Sequence, residues 1–459
     1  MSTDPDHNLK HDPFPKASDA WKFLGRVTDY EKMLGFGQGR ATFSLEAATR
    51  LLDFLERPDR GLAILQIAGT KGKGSVSHLV EAALRAAGAT TGLYTSPHVD
   101  DPLERIRIAG SSLPEPRFLS WMNRLHPVLE PADTGAPGTG APTFFEIFTA
   151  IALAAFRAAG VEAAVLEVGL GGPLDATSAV ETTRLSVITT ISRDHTHLLG
   201  ETLRAIAAEK ARIFRPGTPA VTGVRPGEAA FPPIEDAACR VGVPLLVRGR
   251  DFDVRGCRPT PTGLALALRT PGRRVDDLEL GLLGPFQAVN AAIALAVLDR
   301  FAADGGPAVD EETLRRAWRA VRIPGRMEIL CTEPLLLVDG AHNGASALAL
   351  LEALTFHFPE RPLHLILAMA GDKLVEETAV PLLRAAARVH VTRTDNPRSL
   401  DPARLAALAA DLGRPAKVHP TSGEALEAAL RDASPGAVTV AAGSLYLAGE
   451  IRAAVRRGV

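Results

Sequence analysis

The 459-residue sequence predicts an α/β fold in two units, each on a mostly parallel sheet, with a small strand-rich subregion closing the first. Three observations carry this. Short apolar runs alternate with longer stretches of helical periodicity, the pattern of crossover units in a parallel sheet. Between about 216 and 280 the helical periodicity fades, and runs such as 243–247 and 264–268 (LALAL) alternate with Pro and Gly. At 322–326 (RIPGR) Pro and Gly stop regular structure, and the strand–helix alternation then restarts.

The elements follow in order. Strand 62–68 (LAILQIA) runs into a glycine-rich turn and helix 75–87, with Val76, Leu79, Val80 and Leu84 on one face. A short strand, 92–95, ends at Ser96-Pro97-His98. Helix 146–159 leads to strand 161–167 (VEAAVLE), then come strand 186–191 and helix 202–214. Helix 287–301 follows the strand-rich stretch. The second unit reads as strand 335–338, helix 345–354, strand 363–368, helix 375–387, strand 389–392, helix 402–410, strand 437–442 and helix 446–456. The expected domains are 1–323 and 324–459, the second of about 135 residues, a usual domain size. The segment 131–142 (PADTGAPGTGAP) reads as a loop, and no internal repeat stands out.

Composition narrows the function. The 51 Lys+Arg nearly balance 53 Asp+Glu, for a net charge of −2, which argues against a nucleic-acid or anionic-membrane partner. Hydrophobic residues make up 46%, enough for a packed core, but aromatics only 5%, so Ala, Leu and Val should fill it. The N-terminal twenty residues lack the apolar run of a secretion signal, and no long uninterrupted apolar stretch predicts a membrane span. Cys239, Cys257 and Cys331 form no CxxC pair, so neither a disulfide framework nor a zinc site is expected. A cytoplasmic monomer is the expectation. Only nine of the 51 basic residues are lysine, and two of the nine, Lys71 and Lys73, lie in the glycine-rich turn.

That turn is Gly69-Thr70-Lys71-Gly72-Lys73-Gly74-Ser75, between strand and helix. Its glycines let backbone N–H groups converge on phosphate oxygens, and the helix start adds unpaired donors. Lys73 supplies a point charge. The strict pattern G-x-x-x-x-G-K-[ST] fails at Ile67 and at Gly74, and the Ser75 hydroxyl comes one residue late. The earlier GFGQG (35–39) follows no clear strand and reads as a loop, not a dinucleotide fingerprint.

Three strand ends offer further polar groups: Ser96, Glu167 before Gly169-Leu170-Gly171-Gly172, and Asp194-His195. Hydroxyl, carboxylate and imidazole beside nucleotide phosphates suit Mg²⁺, which keeps several waters and needs few protein ligands. His98, His126 and His197 lack such support and default to structural roles. Spacing alone leaves Lys210, in a helix fifteen residues after His195, as a solvated lysine, although a neutral amine there could add carbon dioxide to form a carbamate.

Taken together, GTKGKGS, GLYTSPH with ERIRI, VLEVGLGG with LDAT, DHTHLLGETL, GPFQAVNAAIALA, PGRME, VDGAHN and GSLYLAGEIR resemble the folylpolyglutamate synthase and dihydrofolate synthase family of the muramyl-ligase superfamily. The resemblance spans roughly residues 30 to 456 in order. It implies a P-loop-containing sheet domain followed by a Rossmann-like α/β domain. It also implies a reaction: ATP phosphorylates a folate or dihydropteroate carboxylate, and L-glutamate attacks the acyl phosphate. By the same resemblance, Gly69 to Ser75 hold ATP, while Ser96, Glu167 and His195 bind Mg²⁺. Lys210 is carbamoylated, and Asn290 and Arg326 contact nucleotide. Asp339 and His342 face the cleft near glutamate and nucleotide. Lys73, Lys210, His195, Asp339 and His342 are thus the catalytic candidates. Three positions depart from the family pattern: Pro173 where Arg is usual, Lys71 where Asn is common, and Gly344 where Pro is common. Pro173 removes a charge and an N–H beside the cleft, which bears on pterin specificity. The competing readings are a ligase of this superfamily acting on another carboxylate, a P-loop switch module, and a non-catalytic ATP or folate binder.

Overall fold

The computed structural model describes residues 13–29, 44–129, 140–194, 196–371 and 375–458. The GFGQG loop, residues 131–139 and His195 lie outside them. Eight strands form the first sheet, in the order Ser111–Ser112, Ile106–Ile108, Thr91–Tyr94, Ala163–Glu167, Ala63–Ala68, Leu185–Ile188, Ala220–Thr222 and Leu245–Val247. The first two strands pair antiparallel and the rest run parallel. The parallel strands are near-continuous apolar runs because helices cover both faces. Register aligns Ile67 with Glu167 and Ala68 with Ile188, so three adjacent strands end together. That common edge is where ligands bind in sheets of this kind.

The two faces differ in composition. On one, helices Lys73–Ala86, Phe286–Ala303 and Glu311–Ala320 pack through Ala, Leu, Ile and Val. Helix Phe286–Ala303 is long and apolar enough to cross a membrane, and here it is buried in this core. On the other face the scarce aromatics gather: Trp21 stacks on Phe118 at 4.3 Å and Phe144 on Phe148 at 4.4 Å. Helices Glu46–Phe54, Glu115–Leu129 and Phe144–Ala158 carry most of this layer.

The 216–280 stretch divides differently from the expectation. Leu245–Val247 joins the large sheet as an edge strand. Only Asp253–Thr260, Gly263–Arg269 and Arg274–Leu280 make the small antiparallel sheet. Phe231–Val241 is a helix that periodicity missed. Its two prolines sit in the first turn, where a missing N–H costs nothing, and Gly242 stops it with φ 66°.

The second sheet orders its strands Glu328–Thr332, Leu335–Val338, Val438–Ala442, Leu363–Leu367, Ala386–Val391 and Ala416–Val418. Its opening pair is an antiparallel hairpin, and the remaining pairs are parallel. The RIPGR segment spans the gap between helix Glu311–Ala320 and strand Glu328–Thr332.

Candidate active site

The glycine-rich loop leaves strand Ala63–Ala68 and enters helix Lys73–Ala86 at Gly72, whose φ of 85° favours glycine. A Cβ on Gly72 would collide with the Asn290 amide, so this residue also lets helix Phe286–Ala303 approach. The neighbouring strand end pins the loop. Thr189 and Thr190 donate hydroxyls to the Lys71 carbonyl at 2.7 and 3.2 Å, and Thr70 N–H donates to the Thr190 carbonyl at 2.7 Å. Asn290 is buried and oriented by donating to Gln287 Oε1 at 2.8 Å.

The carboxyl ends of three strands meet around this loop. Glu167 is 5% exposed, accepts from the Ser96 backbone N–H at 3.2 Å, and lies beside Gly74. Lys71 pairs with Asp194 at 3.1 Å. The Ser192 hydroxyl is buried without a hydrogen-bond partner among the described residues, beside the phosphate loop. Lys73 donates to the Thr70 carbonyl at 3.4 Å. Desolvation pushes its ammonium pKa down, Lys71 adds to that, and Glu167 opposes it. His78, one turn into the helix, bonds the Gly74 carbonyl through Nδ1 at 2.8 Å, and burial lowers its pKa to about 4.

Lys210 is 5% exposed, at the end of helix Leu203–Ala211, and donates to the Gly171 carbonyl at 3.4 Å. It sits behind the cleft wall formed by Gly171 and Glu209. Burial, with the nearby Lys73 charge, lowers its pKa to about 7, against the pull of Asp175, Asp194 and Glu209. A solvated lysine would titrate near 10.4, so the spacing-only reading of Lys210 as an exposed lysine is overturned. The loop over it is folded by Asp175, which accepts from Leu170 N–H, Thr177 N–H and the Thr177 hydroxyl at 2.9, 3.0 and 2.6 Å. Desolvation nonetheless raises the Asp175 pKa. Pro173 has a local cause: Asp175 N–H donates to the Gly172 carbonyl at 3.2 Å, a turn with proline at its favoured second position.

The second sheet supplies the opposite wall. Asp339 follows strand Leu335–Val338 and accepts from Met327 and Ala341 N–H at 2.9 and 2.8 Å. Burial raises its pKa, and Arg326 opposes the rise. His342 Nδ1 bonds the Gly340 carbonyl at 2.8 Å, which fixes the proton on Nδ1 in the neutral ring. Asn343 and Ser346 form a capping box at helix Gly344–His357. Gly344 lies 3.1 Å, measured from an added Cβ, from the Glu377 carbonyl, a close approach that a small residue permits.

One cleft of about 2320 Å³ is lined by both walls: Thr70 to Ser75, Ser96, Glu167 and Asn290 on one side, Arg326, Asp339 and His342 on the other. Gly69 and Lys210 stand just behind its surface. His195 lies outside the described residues, and among those described no three His, Cys, Asp or Glu side chains form a closed metal site. The sequence reading missed Thr189, Thr190 and Ser192, whose only signal was hydroxyls at a strand end. It also missed Asn396, Arg398 and Tyr446, which line the far wall.

Comparisons with known proteins match both parts of the chain. Residues 67–298 match the Mur ligase middle domain, and residues 325–445 match the Mur ligase glutamate ligase domain. A probable bifunctional folylpolyglutamate synthase/dihydropteroate synthase of Haloferax volcanii is 38% identical over 90% of this chain, which spans only 48% of that protein. The dihydrofolate synthase/folylpolyglutamate synthase of Mycobacterium tuberculosis is 35% identical over 82% of this chain and 79% of its own length. The crystal structure of Mycobacterium tuberculosis folylpolyglutamate synthase with ADP and AMPPCP superposes with a TM-score of 0.81 and 32% identity, covering 94% of this chain and 98% of that one.

Proposed function

The chain belongs to the Mur ligase family, among the folylpolyglutamate and dihydrofolate synthases, and from that premise we propose that it joins L-glutamate to a folate or dihydropteroate carboxylate at the expense of ATP. The observation that carries this reading is the convergence of the phosphate loop, Glu167 and the Asp339–His342 segment on one cleft. The substrate carboxylate attacks the γ-phosphorus, ADP leaves, and an acyl phosphate forms. The neutral glutamate amine then attacks the acyl carbon, phosphate departs with the C–O bonding electrons, and the proton lost from nitrogen passes to the released phosphate.

The first step brings two anions together. Lys73, Lys71 and the backbone N–H groups at the start of helix Lys73–Ala86 offset that repulsion. Glu167, the Ser96 hydroxyl and His195 are the residues we assign to Mg²⁺. The buried, cleft-facing Glu167 and the buried Ser192 hydroxyl, without a hydrogen-bond partner among the described residues, fit a cation beside phosphate. When bound, Mg²⁺ supplies charge neutralisation on the phosphate oxygens. Lys210, whose pKa burial lowers to about 7, is suited to addition of carbon dioxide to its neutral amine, which forms an anionic carbamate and releases a proton. Asn290 and Arg326 flank the nucleotide. Asp339 and His342 orient nucleotide and glutamate, and a cleft between domains 1–323 and 324–459 closes to keep water from the acyl phosphate.

We also infer a cytoplasmic monomer. The three cysteines are free, which suits a reducing compartment. Of the large exposed apolar side chains described, Leu174, Leu198, Phe286 and Tyr446 line the cleft and the others are scattered, which favours no partner surface.

Glu167→Ala is expected to raise the Mg²⁺ concentration needed for half-maximal activity by about tenfold or more. A Mg²⁺ titration unchanged from wild type would remove Glu167 from the metal role. The reading itself is tested by ADP release with Mg²⁺, bicarbonate and glutamate, first with dihydropteroate and then with tetrahydrofolate. Turnover with either supports it, and glutamate-dependent turnover with neither overturns it.

A further inference from the structure

The terminal motif GSLYLAGEIR has only its first residues, Gly443 to Tyr446, on the cleft. The rest of helix Leu445–Arg456 makes a second set of contacts. Leu445, Gly449, Arg452 and Arg456 are spaced by four, three and four residues, so they share one face. That face rests on the loop that follows strand Thr91–Tyr94 and contains Ser96. Gly449 lies against the Val99 carbonyl, where an added Cβ would come within 2.6 Å. Val99 packs on the apolar cluster of Leu447, Ala448 and Ile451.

Charge reinforces the docking. Arg452 is 8% exposed and donates through Nε to both Asp100 carboxylate oxygens at 3.2 Å and through Nη2 at 3.1 Å. Its Nη1 donates to Glu328. Arg456 adds a bond to Asp100 at 2.6 Å. Each acidic residue is tied in turn to a functional segment. Asp100 N–H and Val99 N–H donate to Glu104 at 3.4 and 3.2 Å, fixing the Ser96 loop. Glu328 accepts from Gly325 N–H at 2.9 Å, next to Arg326.

We propose that Arg452 is a positioning residue that clamps helix Leu445–Arg456 to the loop carrying Ser96 and to the segment carrying Arg326, setting the register of the two cleft walls. One guanidinium therefore joins three segments that are far apart in sequence. A planar five-donor fork can hold two carboxylates at once, which an ammonium cannot match geometrically.

The clamp is expected to matter more for joining the substrates than for holding ATP, because the phosphate loop, built within one wall, carries the main hold on ATP. In Asp100→Asn, kcat for ligation should fall at least about tenfold, since small misplacements across a cleft carry large rate penalties. ATP affinity by calorimetry should stay within about twofold, and Asp100→Glu should recover most of the rate. Amide hydrogen exchange should quicken in 96–100 and 445–456, with the phosphate-loop helix unchanged. The exchange readout does not depend on turnover, and the kinetic one rests on the ligase reading. A wild type with no turnover would therefore count against that reading alone. A wild-type kcat and unchanged exchange in Asp100→Asn would overturn the clamp, as would equal losses of rate and ATP affinity. If Asp100→Asn does not fold, Arg456→Gln, at the exposed edge of the cluster, carries the same tests with an expected loss of about threefold. A wild-type rate with wild-type exchange there would overturn the clamp as well.

Discussion

Lys73→Ala is expected to lower ATP-dependent ligation by about a thousandfold or more, the scale of removing a preorganised charge from phosphoryl transfer. Two features make Lys73 hard to replace. It stands at the start of a helix whose N–H groups already point at the phosphate site, so its charge acts with theirs. Burial also lowers its pKa, so the ammonium is poorly solvated before ATP arrives and gains a partner when the phosphates bind. Lys71 cannot take over alone, because Asp194, paired with it at 3.1 Å, already offsets part of its charge. The check is steady-state ADP release with folding verified by circular dichroism. Wild-type rates in a folded Lys73→Ala enzyme would take Lys73 out of the mechanism.

Lys210→Ala is expected to lose about a hundredfold or more in rate, and short carboxylic acids are expected to restore part of it. The chemistry depends on protonation. With a pKa of about 7, the amine is mostly neutral above neutrality and mostly cationic below it. At pH 8 roughly a tenth remains protonated, where an ordinary lysine would be almost wholly so. Carbon dioxide adds only to the neutral amine, so carbamate should accumulate as pH rises through about 7 and disappear as pH falls below it. Carbon-labelled bicarbonate and magnetic resonance would read this directly. A fully active Lys210→Ala enzyme, or a wild type with no labelled carbamate at pH 8, would show that Lys210 stays an amine.

How far the sequence alone reached depended on whether a feature had a local pattern. Strand Ala63–Ala68, the glycine turn and Glu167 closing Ala163–Glu167 all carry one: apolar runs of strand length, each ended by an unlike residue. The shortage of lysine was itself informative, since Lys71, Lys73 and Lys210 gather around one site. Other features have no local signal. The threonine hydroxyls that pin the loop act on a segment about 119 positions away, and Arg452 meets Asp100 across 352. Helix Phe231–Val241 was hidden by prolines that are harmless in a first turn. The sheet membership of Leu245–Val247 depends on a parallel pairing that its own residues do not encode. Lys210 was misjudged from spacing because its burial comes from the Gly171–Gly172 loop folded over it, a tertiary fact.

We propose that a pterin-bearing carboxylate is activated by phosphorylation in this cleft before glutamate attacks. Its most direct test is substrate labelled with heavy oxygen in the reacting carboxylate. Mass spectrometry of the released phosphate should find one labelled oxygen per phosphate, carried across when the acyl phosphate breaks. Phosphate without label, released in step with glutamylated product, would exclude an acyl-phosphate intermediate.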